Sequence, residues 1–191
     1  MATFGSEQRY TRTAIILHWT IALLIIVQVF LGWWLNEWVP DHSPIQDQIT
    51  AVHVSLGLTI LLLVLVRIGV RLLHRPPPLP AGMPAWQKFL AGLTHLLFYA
   101  LMLILPLSGW AMLSMGSHPI HFWGLPWPRL PGVGAVFGSP APKAARHFIK
   151  HFHVYTLIWI VVANFVLHVA GALWHQFDGR PVLQRMWPAR R

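Results

Sequence analysis

The stretch AIILHWTIALLIIVQVFLGWWL, residues 14–35, carries no charged residue and decides the fold class. A helix needs about 20 predominantly apolar residues to cross a bilayer, and this stretch is long enough. It is too long for the apolar part of a signal peptide, and its end carries Trp33, Trp34 and Trp38 rather than a small-residue cleavage site. We therefore predict a transmembrane helix that remains in the mature protein.

Three further apolar stretches follow, at about residues 50–73, 89–113 and 152–174, and none of the four contains Asp or Glu. Of the 191 residues, 55% are hydrophobic and only 10% are charged, whereas soluble domains carry roughly 25% charged residues. The pattern predicts an all-α membrane protein: a four-transmembrane-helix bundle, surrounded by membrane lipid, that forms a single domain over residues 1–191.

The basic residues are distributed unevenly between the two ends of this bundle. Four of the 14 fall on one side, namely Arg129, Lys143, Arg146 and Lys150, and the others fall on the opposite side, including Arg190 and Arg191. Because Lys and Arg concentrate in cytoplasmic segments, both termini are predicted to be cytoplasmic. Topology and anionic lipid account for the net charge of +9, so no nucleic-acid partner is expected.

The chain has no cysteine but twelve histidines, which excludes thiolate ligands and covalently attached c-type haem. Four of the histidines form two pairs, and the two members of each pair lie at the same predicted depth in the membrane. His18 and His168 lie near the inner ends of the first and fourth helices, whereas His53 and His153 lie near the outer ends of the second and fourth. His153 and His168 are separated by 15 residues, or roughly 22 Å of helix. Ionisable residues at such depths are functional candidates.

Two imidazoles from different helices at one depth can hold a haem iron between them, as cofactor sites in helix bundles do. A histidine-lined path for protons or a divalent metal is the alternative, although such paths usually also contain Asp or Glu. His151 competes with His153 for the outer position, but its direction differs from that of His168 by about 100°. His95, in the third helix, could support a quinone site or a haem propionate, but we favour a structural hydrogen bond.

Arg67 lies 14 residues after His53, which places it about 21 Å further inward, at the level of His18. It could bind the propionates of an inner haem. Alternatively, Arg67 and Arg71 extend to the cytoplasmic interface as ordinary positive-inside residues.

Five segments together resemble the bacterial cytochrome b561 family, whose members are four-helix di-haem membrane proteins. They are RYTRTAIILHWTIALLI (9–25), AVHVSLG (51–57), VRIGVRLLHRPP (66–77), GLTHLLFYALMLILPLSGW (92–110) and VLHVAGALWHQFDG (166–179). The similarity runs from about residue 10 to residue 188, so it covers nearly the whole chain.

The resemblance implies two b-type haems, with axial iron ligands His18 and His168 for the inner haem and His53 and His153 for the outer haem. The family pattern places a histidine 14 residues before the last ligand, but Val154 occupies that position here. The helix therefore needs a local adjustment near His153. The resemblance also implies a multi-pass protein of the bacterial inner membrane that exchanges electrons with the quinone pool.

The sequence leaves three candidate functions, which differ in what they predict for the purified protein. The first is a superoxide:ubiquinone oxidoreductase, with the basic third connection guiding superoxide towards His153. The alternative for these basic residues is a solvated loop that contacts lipid headgroups. The second is a haem-bearing anchor subunit for a dehydrogenase, a hydrogenase or a periplasmic redox partner, which predicts a stable complex. The third, a non-redox transporter lined by histidines, predicts a colourless protein.

Overall fold

The computed structural model of the protein describes residues 9–80, 82–180 and 182–187. Its long helices are α1 (Arg12–Glu37), α2 (Pro44–Leu73), α3 (Ala85–Ser114) and a fourth helical segment of 35 residues, Lys143–Phe177. All four are long and apolar enough to cross a membrane. The predicted four-helix membrane fold is therefore confirmed. The cytoplasmic location of the termini stays a prediction, and Arg190 and Arg191 lie outside the described residues.

The starts of α1 and α2 are set by hydroxyl side chains rather than by the apolar stretches. Thr11 Oγ1 accepts a hydrogen bond from the backbone N–H of Ala14, and Ser43 Oγ accepts one from that of Gln46. Pro44 follows Ser43 as the first residue of α2, where its missing N–H costs nothing. Consequently α2 begins at residue 44, ahead of the apolar stretch that starts at about residue 50.

The fourth span is not a uniform α-helix. It consists of α5 (Lys143–His151), a π-helical turn (Phe152–Leu157) and α6 (Ile158–Phe177). A π-turn inserts one extra residue into an α-helix and is frequently found at functional sites. Here it contains His153.

The four spans pack through small apolar clusters and leave most of their surface to lipid. Ile21, Ile60 and Val64 join α1 to α2, while Leu101, Leu157 and Val161 join α3 to the fourth span. Large apolar side chains elsewhere on the spans are exposed, which suits a surface solvated by hydrocarbon.

The connection between α3 and α5 forms a folded cap over the end of the bundle that is predicted to face outward. Strands β1 (Ile120–Phe122) and β2 (Leu125–Trp127) make an antiparallel hairpin, followed by the short helix α4 (Val133–Phe137). The hairpin is tied to α2 because Trp123 donates its backbone N–H to Ser55 Oγ (2.9 Å) and its indole N–H to Thr59 Oγ1 (3.1 Å).

The C-terminal segment crosses the opposite end of the bundle. After α6, the 3₁₀ turn Leu183–Arg185 contacts the connection between α2 and α3, where Arg185 donates to the carbonyl of Pro78 at 2.7 Å. The indole N–H of Trp19 donates to the carbonyl of Met186 at 2.8 Å. These contacts bring the segment next to the part of α1 that carries His18.

Candidate functional site

The structure brings the four singled-out histidines together in two pairs. The imidazole centroids of His18 and His168 lie 6.2 Å apart, and those of His53 and His153 lie 6.3 Å apart. We call these the inner pair and the outer pair, after the predicted orientation. Each pair joins the fourth span to a different partner helix, α1 for the inner pair and α2 for the outer pair.

The separation within each pair matches a metal ion held between two imidazoles. An ion midway between the centroids would lie about 3.1 Å from each, and about 2 Å from a ring nitrogen that points at it, which is the usual metal–imidazole distance. Among the described residues, no group of three or more His, Asp or Glu side chains could hold a metal ion. Two nitrogens per site suit haem, whose macrocycle supplies the other four ligands.

An apolar cavity of about 420 Å³ adjoins the outer pair and extends between the spans. Its lining includes His53 and His153. Two glycines make room for the rings: a Cβ at Gly32 would lie 3.1 Å from His53 Cε1, and a Cβ at Gly109 would lie 3.1 Å from His153 Cε1. The cavity and its glycines fit a flat, apolar macrocycle between the two imidazoles.

A serine of α3 fixes the orientation of the His153 ring. The Ser108 hydroxyl donates to the carbonyl of Leu105 (2.7 Å), so its oxygen is left to accept from His153 Nδ1–H at 2.8 Å. This places the ring proton on Nδ1 and leaves Nε2 with a free lone pair, the tautomer that a metal ligand requires.

The π-turn explains how His153 comes to face His53 although it lies 15 rather than 14 residues before His168. His153 precedes His168 by 15 positions, and the one extra residue of the π-turn makes that interval equivalent to about 14 residues of regular α-helix. The two side chains then differ in direction by about 40°. His151 lies instead on the exposed side, with its ring 5.2 Å from that of Tyr155.

One cation and a third histidine lie next to the inner pair. Arg67 Nη2 lies 3.3 Å from His18 Nδ1, whereas Arg67 Nη1 is buried and has no hydrogen-bond partner in the described part of the chain. His95 Nδ1 lies 2.5 Å from the carbonyl of Ala91, the structural hydrogen bond expected from the sequence. Its ring is 5.3 Å from that of His168.

Sequence reasoning missed three polar side chains in the spans: Ser108, Gln28 and Asn164. All three have buried polar atoms, and two of them contact a paired histidine: Ser108 the ring of His153, and Gln28 the backbone of His53. A signal was present, because strongly polar residues in apolar spans are functional candidates in the same way as histidines. Only the structure shows which way each one faces.

Comparison with known proteins gives a consistent result over nearly the full length of the chain. The family model described as prokaryotic cytochrome b561 matches residues 9–189. "Cytochrome b561 homolog 1" of Escherichia coli is 27% identical, and the match covers 96% of this chain and 99% of that protein. "Probable superoxide oxidase CybB" of Yersinia pestis is 28% identical (97% and 99%). "Cytochrome b562" of Cereibacter sphaeroides is 34% identical (95% and 98%).

Proposed function

The chain belongs to the prokaryotic cytochrome b561 family, and we propose that it is a di-haem cytochrome that carries electrons across the bacterial inner membrane to or from the quinone pool. Membership makes it a multi-pass membrane protein that binds haem b and transfers electrons. The number of haems, the quinone and the identity of the membrane are the proposal.

One observation carries the di-haem assignment: two histidine pairs with nearly equal separations of 6.2 and 6.3 Å. We assign His18 and His168 to the inner haem and His53 and His153 to the outer haem. The ligands on the fourth span are separated by the equivalent of about 14 helical residues, or about 21 Å, which is most of the hydrocarbon thickness. Two sites at these depths would form a path for electrons across the bilayer.

The residues around each pair determine which chemistry is available. A bound haem would supply reversible one-electron chemistry at iron. Each histidine pair would hold a haem iron with two imidazole nitrogens, which would disfavour oxygen binding and favour outer-sphere electron transfer. Ser108 holds the His153 ring in the ligating tautomer. The apolar lining of the cavity excludes water and keeps the local dielectric low.

Arg67 is assigned to a propionate of the inner haem. Its Nη1 is buried without a partner in the described part of the chain, although a buried guanidinium normally binds an anion. Its Nη2 lies at the level of His18. A haem carboxylate would satisfy these N–H groups and neutralise the charge.

Superoxide is the proposed donor at the outer face, with quinone as the acceptor. One relative carries the name "probable superoxide oxidase". Lys143, Arg146 and Lys150 are exposed on α5, the helix that leads directly into the π-turn with His153. A positive surface can raise the encounter rate of a small anion about 10-fold or more. Arg129, the fourth basic residue on this side, is half-buried, and its guanidinium also donates to the carbonyls of Ser114, Gly116 and His118.

The test of this function is stopped-flow reduction of the purified oxidised protein by superoxide, followed by oxidation with a soluble ubiquinone analogue. The proposal predicts fast haem reduction and reoxidation by the quinone. A protein that reacts with neither, but co-purifies from native membranes with a dehydrogenase, would instead be an anchor subunit.

A further inference from the structure

Two unsatisfied polar atoms lie next to the outer pair, and their hydrogen-bonding roles are complementary. His53 Nδ1 is buried and has no hydrogen-bond partner in the described part of the chain, and the same is true of Gln28 Oε1. An imidazole that ligates metal through Nε2 carries a proton on Nδ1 and needs an acceptor there. An amide oxygen in an apolar bundle needs a donor.

The Gln28 side chain is already held against His53. Its Nε2 donates to the backbone carbonyl of His53 at 2.8 Å, which fixes the amide beside the residue whose ring lacks a partner within the described residues. The other half of the same amide group carries the unsatisfied oxygen.

Two glycines leave the space that this arrangement requires. Gly57 lies one helical turn after His53, and a Cβ there would approach Gln28 Nε2 to 3.1 Å. Any larger residue at position 57 would push the amide away from the His53 carbonyl. Gly32, one turn after Gln28 on α1, leaves room for the ring itself, because a Cβ there would lie 3.1 Å from His53 Cε1.

We propose that Gln28 is the positioning residue of His53: when His53 ligates the outer haem, the Gln28 amide bridges it, with Nε2–H donating to the backbone carbonyl and Oε1 accepting from Nδ1–H. The inference rests on the proposed di-haem function. In this arrangement each of the two buried atoms is the partner that the other lacks.

The proposal gives the outer haem two hydrogen-bonded ligands, with Ser108 on His153 and Gln28 on His53. A hydrogen bond accepted from Nδ1–H makes the imidazole more basic. A more basic ligand stabilises ferric over ferrous iron, so Gln28 holds the potential of the outer haem down.

The first test is a redox titration of Gln28→Leu, with the outer-haem wave identified as the one missing from His53→Ala. We expect two haems per chain and an upward shift of the outer potential only. Loss of this kind of partner typically changes metal affinity about 10- to 100-fold, and a tenfold change in the ferric-to-ferrous preference corresponds to ~59 mV for one electron. Gln28→Glu, which keeps an acceptor oxygen, should return the potential to the wild-type value or below it.

Gln176→Leu is the matched control, because Gln176 also has a buried, unpartnered Oε1 in the described chain but lies at the other end of the bundle. It should leave the outer potential unchanged. The proposal would be overturned if Gln176→Leu raised the outer potential as much as Gln28→Leu does. It would also be overturned if Gln28→Leu and Gln28→Glu shifted that potential equally, because either result would assign the effect to packing.

Gly57→Ala tests the same contact without changing Gln28. We expect it to raise the outer potential alone, and to add nothing in the Gln28→Leu background, since coupled residues are not additive. The role of Gln28 would be overturned if Gly57→Ala bound two haems and left the outer potential unchanged. It would also be overturned if the potential shifts of Gly57→Ala and Gln28→Leu were additive in the double variant. The Gly57→Ala single variant decides the matter by itself if Gln28→Leu loses the outer haem. Failure of the di-haem function itself would appear differently, as a wild-type protein that lacks two haems.

Discussion

Deleting Thr156 should leave both haem sites intact, although a single-residue deletion inside a membrane span normally destroys the register of a helix. Thr156 is exposed and lies within the π-turn Phe152–Leu157. Its removal eliminates the extra residue, so the turn can relax to α-helix. His153 would then stand one position closer to the last ligand in the sequence and keep its direction relative to His168.

In a regular α-helix, where no extra residue can be lost, deleting one residue displaces every side chain on one side of the deletion relative to those on the other side. Each residue contributes about 100° of rotation and about 1.5 Å of rise, and a side chain at about 6 Å from the helix axis then moves by about 9 Å. The outer pair is separated by only 6.3 Å. A displacement of this size would remove a histidine from its site.

Deleting Leu62 is the matched control, since Leu62 is also exposed on a span but lies in the regular helix α2 after His53. Both variants are purified in detergent, and haem is quantified per chain from the visible spectrum. We expect two haems in the Thr156 deletion and one in the Leu62 deletion. Loss of the outer haem from the Thr156 deletion, with the protein still folded and the inner haem retained, would refute the register argument.

Three further predictions concern the assigned residues. Replacing His53 or His153 by Ala should leave one haem per chain, as should replacing His18 or His168, whereas His151→Ala should retain two in the same spectroscopic assay. Ser108→Ala should raise the outer-haem potential or weaken haem binding about 10- to 100-fold, because His153 Nδ1–H loses its acceptor; a redox titration checks this, with Ser114→Ala as the control. Replacing Lys143, Arg146 and Lys150 by Gln should slow haem reduction by superoxide about 10-fold at low salt and much less at high salt, and a rate that does not change at low salt would remove the steering role.

The spans and the histidine pairs could be predicted because they depend on simple helical arithmetic. Apolar runs of about 20 residues or more define membrane helices, and a rise of about 1.5 Å per residue gives the depth of each histidine. The same arithmetic assumes a regular α-helix, so it could indicate that His153 needed an adjustment but not that a π-turn would provide it.

The polar partners of the histidines could not be predicted, because they depend on how each helix is rotated against its neighbours. Ser108 and Gln28 lie far from His153 and His53 in sequence, and only packing brings them together. The backbone hydrogen bonds of Arg129 could not be predicted for a related reason. Its charge suggested an exposed cation, whereas the fold of the outer connection turns three carbonyls towards it.

The measurement that tests the central claim most directly is the reduced-minus-oxidised visible spectrum of the purified protein, with haem quantified per chain. Two histidine pairs of matching geometry predict a sharp b-type band and two haems per chain. One haem would mean that one of the two pairs does not ligate iron. A protein that stays colourless when haem is supplied would contradict the account.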